Sequence, residues 1–169
     1  MKNHYELLGL EPAFALDPVQ LDRAYRDIQS KIHPDRFAHA GDAERRASMQ
    51  WTTRVNEAYR TLKSPVQRAR YLLEMNGVDV AFETNTAMPA DFLAEQMELR
   101  EKLEQARDAP SLGLLKKDLA AGKQALEALI AGCIDGRRDY AGAKESVRKL
   151  MFLERFGEEI DAAYESLEA

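Results

Sequence analysis

The chain has 169 residues, is 45% hydrophobic and 31% charged, and carries a net charge of −5. That balance fits one or two small globular domains and excludes a disordered tail protein. No apolar run approaches the ~20 residues of a membrane span, and residues 1–6 hold no signal-type apolar stretch, so a cytoplasmic protein with no membrane partner is expected. Charge divides unevenly: residues 1–75 sum to +2 and residues 76–169 to −7. An acidic second half argues against nucleic acid as a partner, and the asymmetry suggests two halves with different partners. The single cysteine, Cys133, excludes an internal disulfide and a cysteine-based structural zinc site. His4, His33 and His39 do not stand at metal-ligand spacing, so no metal and no cofactor is expected.

In chain order, a short apolar segment (Tyr5 to Leu10) is interrupted by Pro12. Asp17-Pro18-Val19-Gln20 then reads as a helix start, with Asp17 as cap, proline at the first helical position and Gln20 three residues after the cap. Leu21, Ala24, Tyr25, Ile28 and Ile32 follow as one apolar stripe. Pro34 disfavours helical geometry at His33, so the helix should end near Ile32, with a loop from His33 to Gly41. Asp42 can cap a long helix to about Lys63, with Met49, Thr52, Val55, Tyr59 and Leu62 facing inward. Ser64-Pro65-Val66-Gln67 opens a fourth helix that Asn76-Gly77 ends after Met75.

Residues 76–88 read as a linker. Pro89 can open a helix to about Ala106, broken by Asp108-Ala109-Pro110. From Leu112 a heptad-like series runs through Leu115, Leu119, Gly122, Leu126, Leu129 and Cys133 to Gly136, which predicts a buried, structural Cys133. A last helix spans about Tyr140 to Leu167, with Ala143, Val147, Leu150, Leu153, Gly157, Ile160, Tyr164 and Leu167 on one drifting face. No segment alternates like a strand. The prediction is an all-α protein, with a helical hairpin and short flanking helices in residues 1–75 and an antiparallel three-helix bundle in residues 89–169.

His33-Pro34-Asp35 stands in the loop between two amphipathic helices. Alone, it reads first as a turn, since proline stops the helix and aspartate is good turn chemistry. A catalytic His/Asp pair is the poorer reading: no nucleophile lies near in sequence, and no second acid or phosphate loop appears, so no catalytic residue and no enzyme is expected. Context favours a third reading. Ala24 to Arg36 resembles the second helix and signature loop of J-domains. His4-Tyr5-Glu6-Leu7-Leu8-Gly9-Leu10 is similar to their start, and Val55 to Leu62 and the segment from Pro65 to their third and fourth helices. The resemblance implies a co-chaperone that docks on an ATP-bound DnaK-class chaperone and accelerates its ATP hydrolysis. His33, Pro34 and Asp35 would carry the signal: Asp35 as a carboxylate for a partner arginine, Pro34 as a stiffener, His33 as a packed hydrogen-bond donor. Arg26, Lys31 and Arg36 would meet an acidic chaperone surface. Asp27 stands where J-domains commonly have another base, which favours a dedicated partner over a general chaperone.

On a helical wheel, Phe92, Gln96, Leu99, Leu103 and Ala106 share one direction, while Leu93 and Met97 point away from it beside Ala94, Glu98 and Glu101. Phe152 falls well off the main face of the last helix. One reading gives Leu93 and Met97 to a second bundle neighbour; the other leaves an apolar patch with an acidic rim. Phe92 to Glu101 and Val147 to Glu154 resemble the C-terminal domain of the HscB family, J-type co-chaperones of iron–sulfur cluster biogenesis. The resemblance implies that the bundle holds an IscU-like cluster scaffold protein and presents it to a specialised, HscA-like chaperone. Leu93, Ala94, Met97, Glu98, Glu101 and Phe152 match the scaffold-binding patch, with Ala94 in place of a bulkier Met. The alternative is a general J-domain co-chaperone that delivers unfolded clients to a DnaK-class chaperone.

Overall fold

The computed structural model describes residues 1–80 and 88–169; most of the expected linker lies in 81–87, outside the described residues. The described residues are helical, with no strand among them. The chain divides into two compact units, Met1–Leu72 and Leu73–Ala169.

The first unit holds α1 (His4–Leu7), α2 (Pro18–Ile32) and α3 (Asp42–Lys63), and α4 (Pro65–Met75) starts within it. Asp17 caps α2 by accepting from the Val19 amide, with Pro18 opening the helix as its sequence predicts. Helices α2 and α3 run antiparallel: the Tyr59 hydroxyl donates to Asp22 Oδ1 (2.6 Å) near one end, and Ser48 Oγ donates to the Ile32 carbonyl (2.7 Å) at the other. Between them the Tyr25 and Tyr59 rings stack 4.1 Å apart. Tyr5, Leu21, Val55, Ala58, Leu62 and Ala69 are buried in this unit. Arg68 is buried as well, with its charge absorbed by carbonyls: Nε donates to Phe14 O and Nη1 to Leu62 O, both at 2.7 Å. Two expectations for α3 fail. Gly41, not Asp42, is the cap residue, and the Asp42 carboxylate pairs with Arg45 one turn on. Met49 is exposed and Ser48 takes the inward position, because α3 meets the end of α2 there and the last carbonyls of α2 need a donor.

The second unit contains α5 (Ala90–Gln105), α6 (Ala109–Ala131) and α7 (Tyr140–Glu168). Asp108 accepts from the Ser111 amide (2.8 Å), so the segment that ends α5 also opens α6, three residues before the leucine series begins. Lys116–Asp161 (3.0 Å) and Lys123–Glu154 (3.1 Å) show α6 and α7 antiparallel. Phe92 against Phe152 and Arg100 against Glu159 show α5 running parallel to α7. The result is an up-down-up three-helix bundle. Leu112, Leu115, Leu119, Phe156 and Ile160 are buried at its centre. A Cβ on Gly157 would stand 3.3 Å from Leu119 Cδ2, so glycine permits this close α6–α7 approach. The heptad series slips before its end: Leu129 is exposed and Ile130 is buried instead. A straight helix turns every 3.6 residues rather than 3.5, so a strict heptad drifts about 20° per repeat and Leu129 has turned about 40° past the position of Leu115. A π-helical turn, Gly132–Gly136, closes α6 and buries Cys133, whose sulfur accepts from Arg137 Nη2 (3.0 Å). Burial extends round α7 to Met151, Phe152 and Phe156, while Leu167 in its last turn is exposed.

Candidate functional site

Two surfaces carry the candidate residues, one on each unit. The first is the turn after α2. His33 has extended backbone (φ −56°, ψ 133°), as the following proline demands, and Pro34–Phe37 forms one 3₁₀ turn within the expected loop. His33 Nδ1 accepts from the Asp35 amide (3.2 Å), so in the neutral ring the proton sits on Nε2. Within the chain His33 is thus an acceptor through Nδ1, which leaves the expected donor role to Nε2. Arg36 does structural work in the turn. Its Nη1 donates to Ser30 O (2.9 Å), satisfying an orphan carbonyl at the end of α2, and its amide donates to His33 O (3.0 Å). Together with Ser48 on Ile32 O, these bonds pin the turn at both ends. The Asp35 side chain is 92% exposed, with His33 Nδ1 lying 3.6 Å from its Oδ2. The geometry is that of a rigid presenter: a carboxylate held outward on a stitched turn, free to accept a fork of guanidinium N–H groups.

Arg26 and Lys31 are both exposed on α2 but lie five residues, or about 140°, apart around it. They do not form one strip. Arg23, which the sequence reading passed over, lies about 60° from Arg26 and lines with it a shallow depression that also holds Val19, Asp22 and Asp27. The three-residue spacing of Arg23 and Arg26 was the available signal.

The second surface is the outer side of α5. Phe92 is buried, and Leu99, Leu103 and Ala106 pack on the same core. Leu93 (47% exposed) and Met97 (66%) stand out from it. Ala94, Glu98 and Glu101 are exposed with them, and Lys102 pairs with Glu98 at 2.9 Å. The five candidates on α5 therefore share one open sector of about 140°. Phe152 does not join it. At 6% exposure it is core, edge-on to Phe92 (centroids 5.6 Å) and stacked with Phe156 (6.0 Å). Helix α7 touches both α5 and α6, so it needs two apolar sectors where a single-face wheel allows one. Beside Leu93 lies a groove of about 430 Å³, floored by Phe92 and Phe152 and walled by Arg100, Arg148 and Arg155. Those arginines were also missed; the seven-residue spacing of Arg148 and Arg155, which puts both on one face of α7, was their signal.

Among the described residues no cluster of His, Cys, Asp or Glu could hold a metal, and no helix is long and apolar enough to cross a membrane. A helical hairpin that presents a pinned His-Pro-Asp turn defines a J-type co-chaperone, whose partner is a chaperone of the DnaK (Hsp70) class. The DnaJ domain family model matches residues 3–71, and the model described as the HSCB C-terminal oligomerisation domain matches residues 88–161. A co-chaperone protein HscB homolog from Burkholderia thailandensis is 50% identical over 98% of this chain and 96% of its own. Among solved structures, chaperone HscB from Vibrio cholerae is similar at TM-score 0.85 and 32% identity, covering 98% of this chain and 99% of that one. The human co-chaperone protein HscB is similar at TM-score 0.91 and 27% identity, covering 96% and 82%. The chain belongs to the HscB co-chaperone family, whose members are not enzymes.

Proposed function

We propose that the protein serves iron–sulfur cluster biogenesis by holding an IscU-like scaffold protein on the outer side of α5 and stimulating a specialised, HscA-like DnaK-class ATPase through His33-Pro34-Asp35. Arg26, Lys31 and the neighbouring Arg23 supply positive charge toward the chaperone; Leu93, Ala94, Met97, Glu98 and Glu101 meet the scaffold. The observation that carries the reading is the exposed Leu93–Met97 pair with Glu98 and Glu101 on its flank. Two adjacent apolar side chains, left out of a bundle that has a full core, cost solubility and gain nothing for folding. An apolar centre with a charged rim is how transient protein interfaces are built. Phe152 supports this surface from below by fixing Phe92, and reaches the surface only as part of the floor of the adjoining groove.

The test uses two variants and steady-state ATP hydrolysis by the HscA-like chaperone, with and without scaffold. Asp35→Asn should bind scaffold normally and lose stimulation, since a charge-paired contact at an interface is worth ~2–5 kcal/mol. Leu93→Ala/Met97→Ala should stay folded, stimulate the chaperone at high concentration, and lose the extra stimulation that scaffold confers. Full stimulation by Asp35→Asn would remove the loop from the mechanism. Tight scaffold binding by the double variant would remove α5, and equal service to a general DnaK would favour delivery of unfolded clients.

A further inference from the structure

The arginine-walled groove beside Leu93 has no role in the reading above. Arg100 reaches Glu159 Oε2 (3.2 Å) and lies over the Phe152 ring at 5.7 Å. Arg148 Nε is buried and has no hydrogen-bond partner among the described residues. Arg155 and Gln96 complete the polar wall. Among the described residues, Arg100, Arg148, Arg155 and Glu159 are the charged groups that line this groove, in a half of the chain whose net charge is −7. A buried guanidinium N–H without an acceptor is costly to keep, which favours an anionic partner for the Arg148 guanidinium that lines the groove. We infer that this groove receives a carboxylate side chain of the scaffold protein docked on α5; the inference rests on the proposed function.

Placement selects that occupant. Measured around α5 from Leu93, Met97 lies at about +40°, Glu101 at about +80° and Glu98 at about +140°, whereas Arg100 lies at about −20° and Gln96 at about −60°. Acid, apolar centre and base follow one another across the helix, and Leu93 belongs both to the exposed patch and to the groove wall. A partner seated on Leu93 and Met97 therefore meets negative charge on one side and positive charge on the other. Such alternation fixes the register of a complex, because a rotated partner brings like charges together. The guanidinium fork fits a planar carboxylate by two parallel N–H bonds, which a point charge cannot supply.

The test is calorimetric titration of the full-length protein with scaffold protein at about 50 mM and about 500 mM salt. The variants are Arg148→Gln, Arg148→Lys and Arg100→Gln, with Leu93→Ala/Met97→Ala as the control for the patch. At low salt Arg148→Gln and Arg100→Gln should each bind about tenfold more weakly, Arg148→Lys should recover only part of the loss, and high salt should narrow the difference. Helicity and melting of each variant report folding; Arg100→Gln, on an outer position of α5, keeps the test decisive if Arg148→Gln melts early. Among scaffold variants with single surface acids changed to Lys, one should bind Arg148→Glu better than it binds the wild type, which a purely structural arginine would not produce. Wild-type affinity and salt dependence in both Gln variants, with binding lost in the Leu93/Met97 variant, would overturn the groove while leaving the proposed function standing. A wild-type protein that does not bind scaffold would overturn both. Phosphate that raises the melting temperature of the wild type but not of Arg148→Gln, with scaffold affinity equal in the two, would assign the groove to a free anion and overturn the inference.

Discussion

His4 lies against Tyr71 with rings 4.3 Å apart, and its own amide donates to the Tyr71 hydroxyl (2.9 Å). Burial is the largest influence on its imidazole and lowers the pKa from the ordinary 6.5; Glu57 opposes the shift and Arg54 adds to it. The unfolded chain therefore takes up a proton at this position before the folded chain does. Stability from His4 is complete above about pH 6.5, declines as pH falls through that value, and stops declining below the folded pKa. His4→Phe keeps the ring on Tyr71 and removes the titration. Its melting temperature should fall less than that of the wild type between about pH 7.5 and about pH 5.5, in parallel scans; equal slopes would show that other groups set the acid response. At this scale the sequence was most legible where chemistry is local. His33-Pro34-Asp35 could be read because proline dictates its neighbour's backbone. The pinning by Arg36 and Ser48 could not, because one bond reaches back six residues and the other crosses sixteen.

Helices α5 and α7 show where periodicity informs and where it misleads. For α5 the wheel separated Phe92 and Leu103 from Leu93 and Met97, and the packing follows that division, because α5 buries one stripe. For α7 the same method put Phe152 outside, because α7 fills the space between two neighbours and buries Met151, Phe152 and Leu153 in succession. Only the tertiary arrangement of three helices decides which rule applies. The heptad of α6 failed for another reason, the drift that buries Ile130 in place of Leu129. A consequence follows for Phe152. Truncation to Ala removes a ring wedged between Phe92 and Phe156 and should cost ~3–5 kcal/mol in urea unfolding, whereas Leu93→Ala should cost less than about 0.5 kcal/mol. Comparable losses from the two would put Leu93 in the core and dissolve the exposed patch.

At the scale of the whole chain, the all-helical class and the two-part organisation were legible from helix caps, proline positions and the change of charge near residue 75. If the loop carries the signal and α5 carries the client, both belong to one covalent chain for a reason: the client bound by a molecule must be the client that molecule delivers. Asp35→Asn keeps α5, and Leu93→Ala/Met97→Ala keeps the loop. Mixed in equal amounts, the two variants should not restore scaffold-dependent ATP hydrolysis, although each supplies the part the other lacks. Recovery of more than about half the wild-type rate would mean that signal and client need no covalent link.

The near-complete exposure of the Asp35 carboxylate has a consequence for how this chain responds to random mutation. A group that rests on nothing is invisible to any selection for folding. In a library sorted only for soluble, protease-resistant protein, position 35 should drift freely while Arg68 and Phe152 hold. Sorted instead for support of growth, position 35 should become as constrained as the core. Subtracting the first tolerance map from the second would leave the surfaces that exist for other molecules, with Asp35 among the largest residuals.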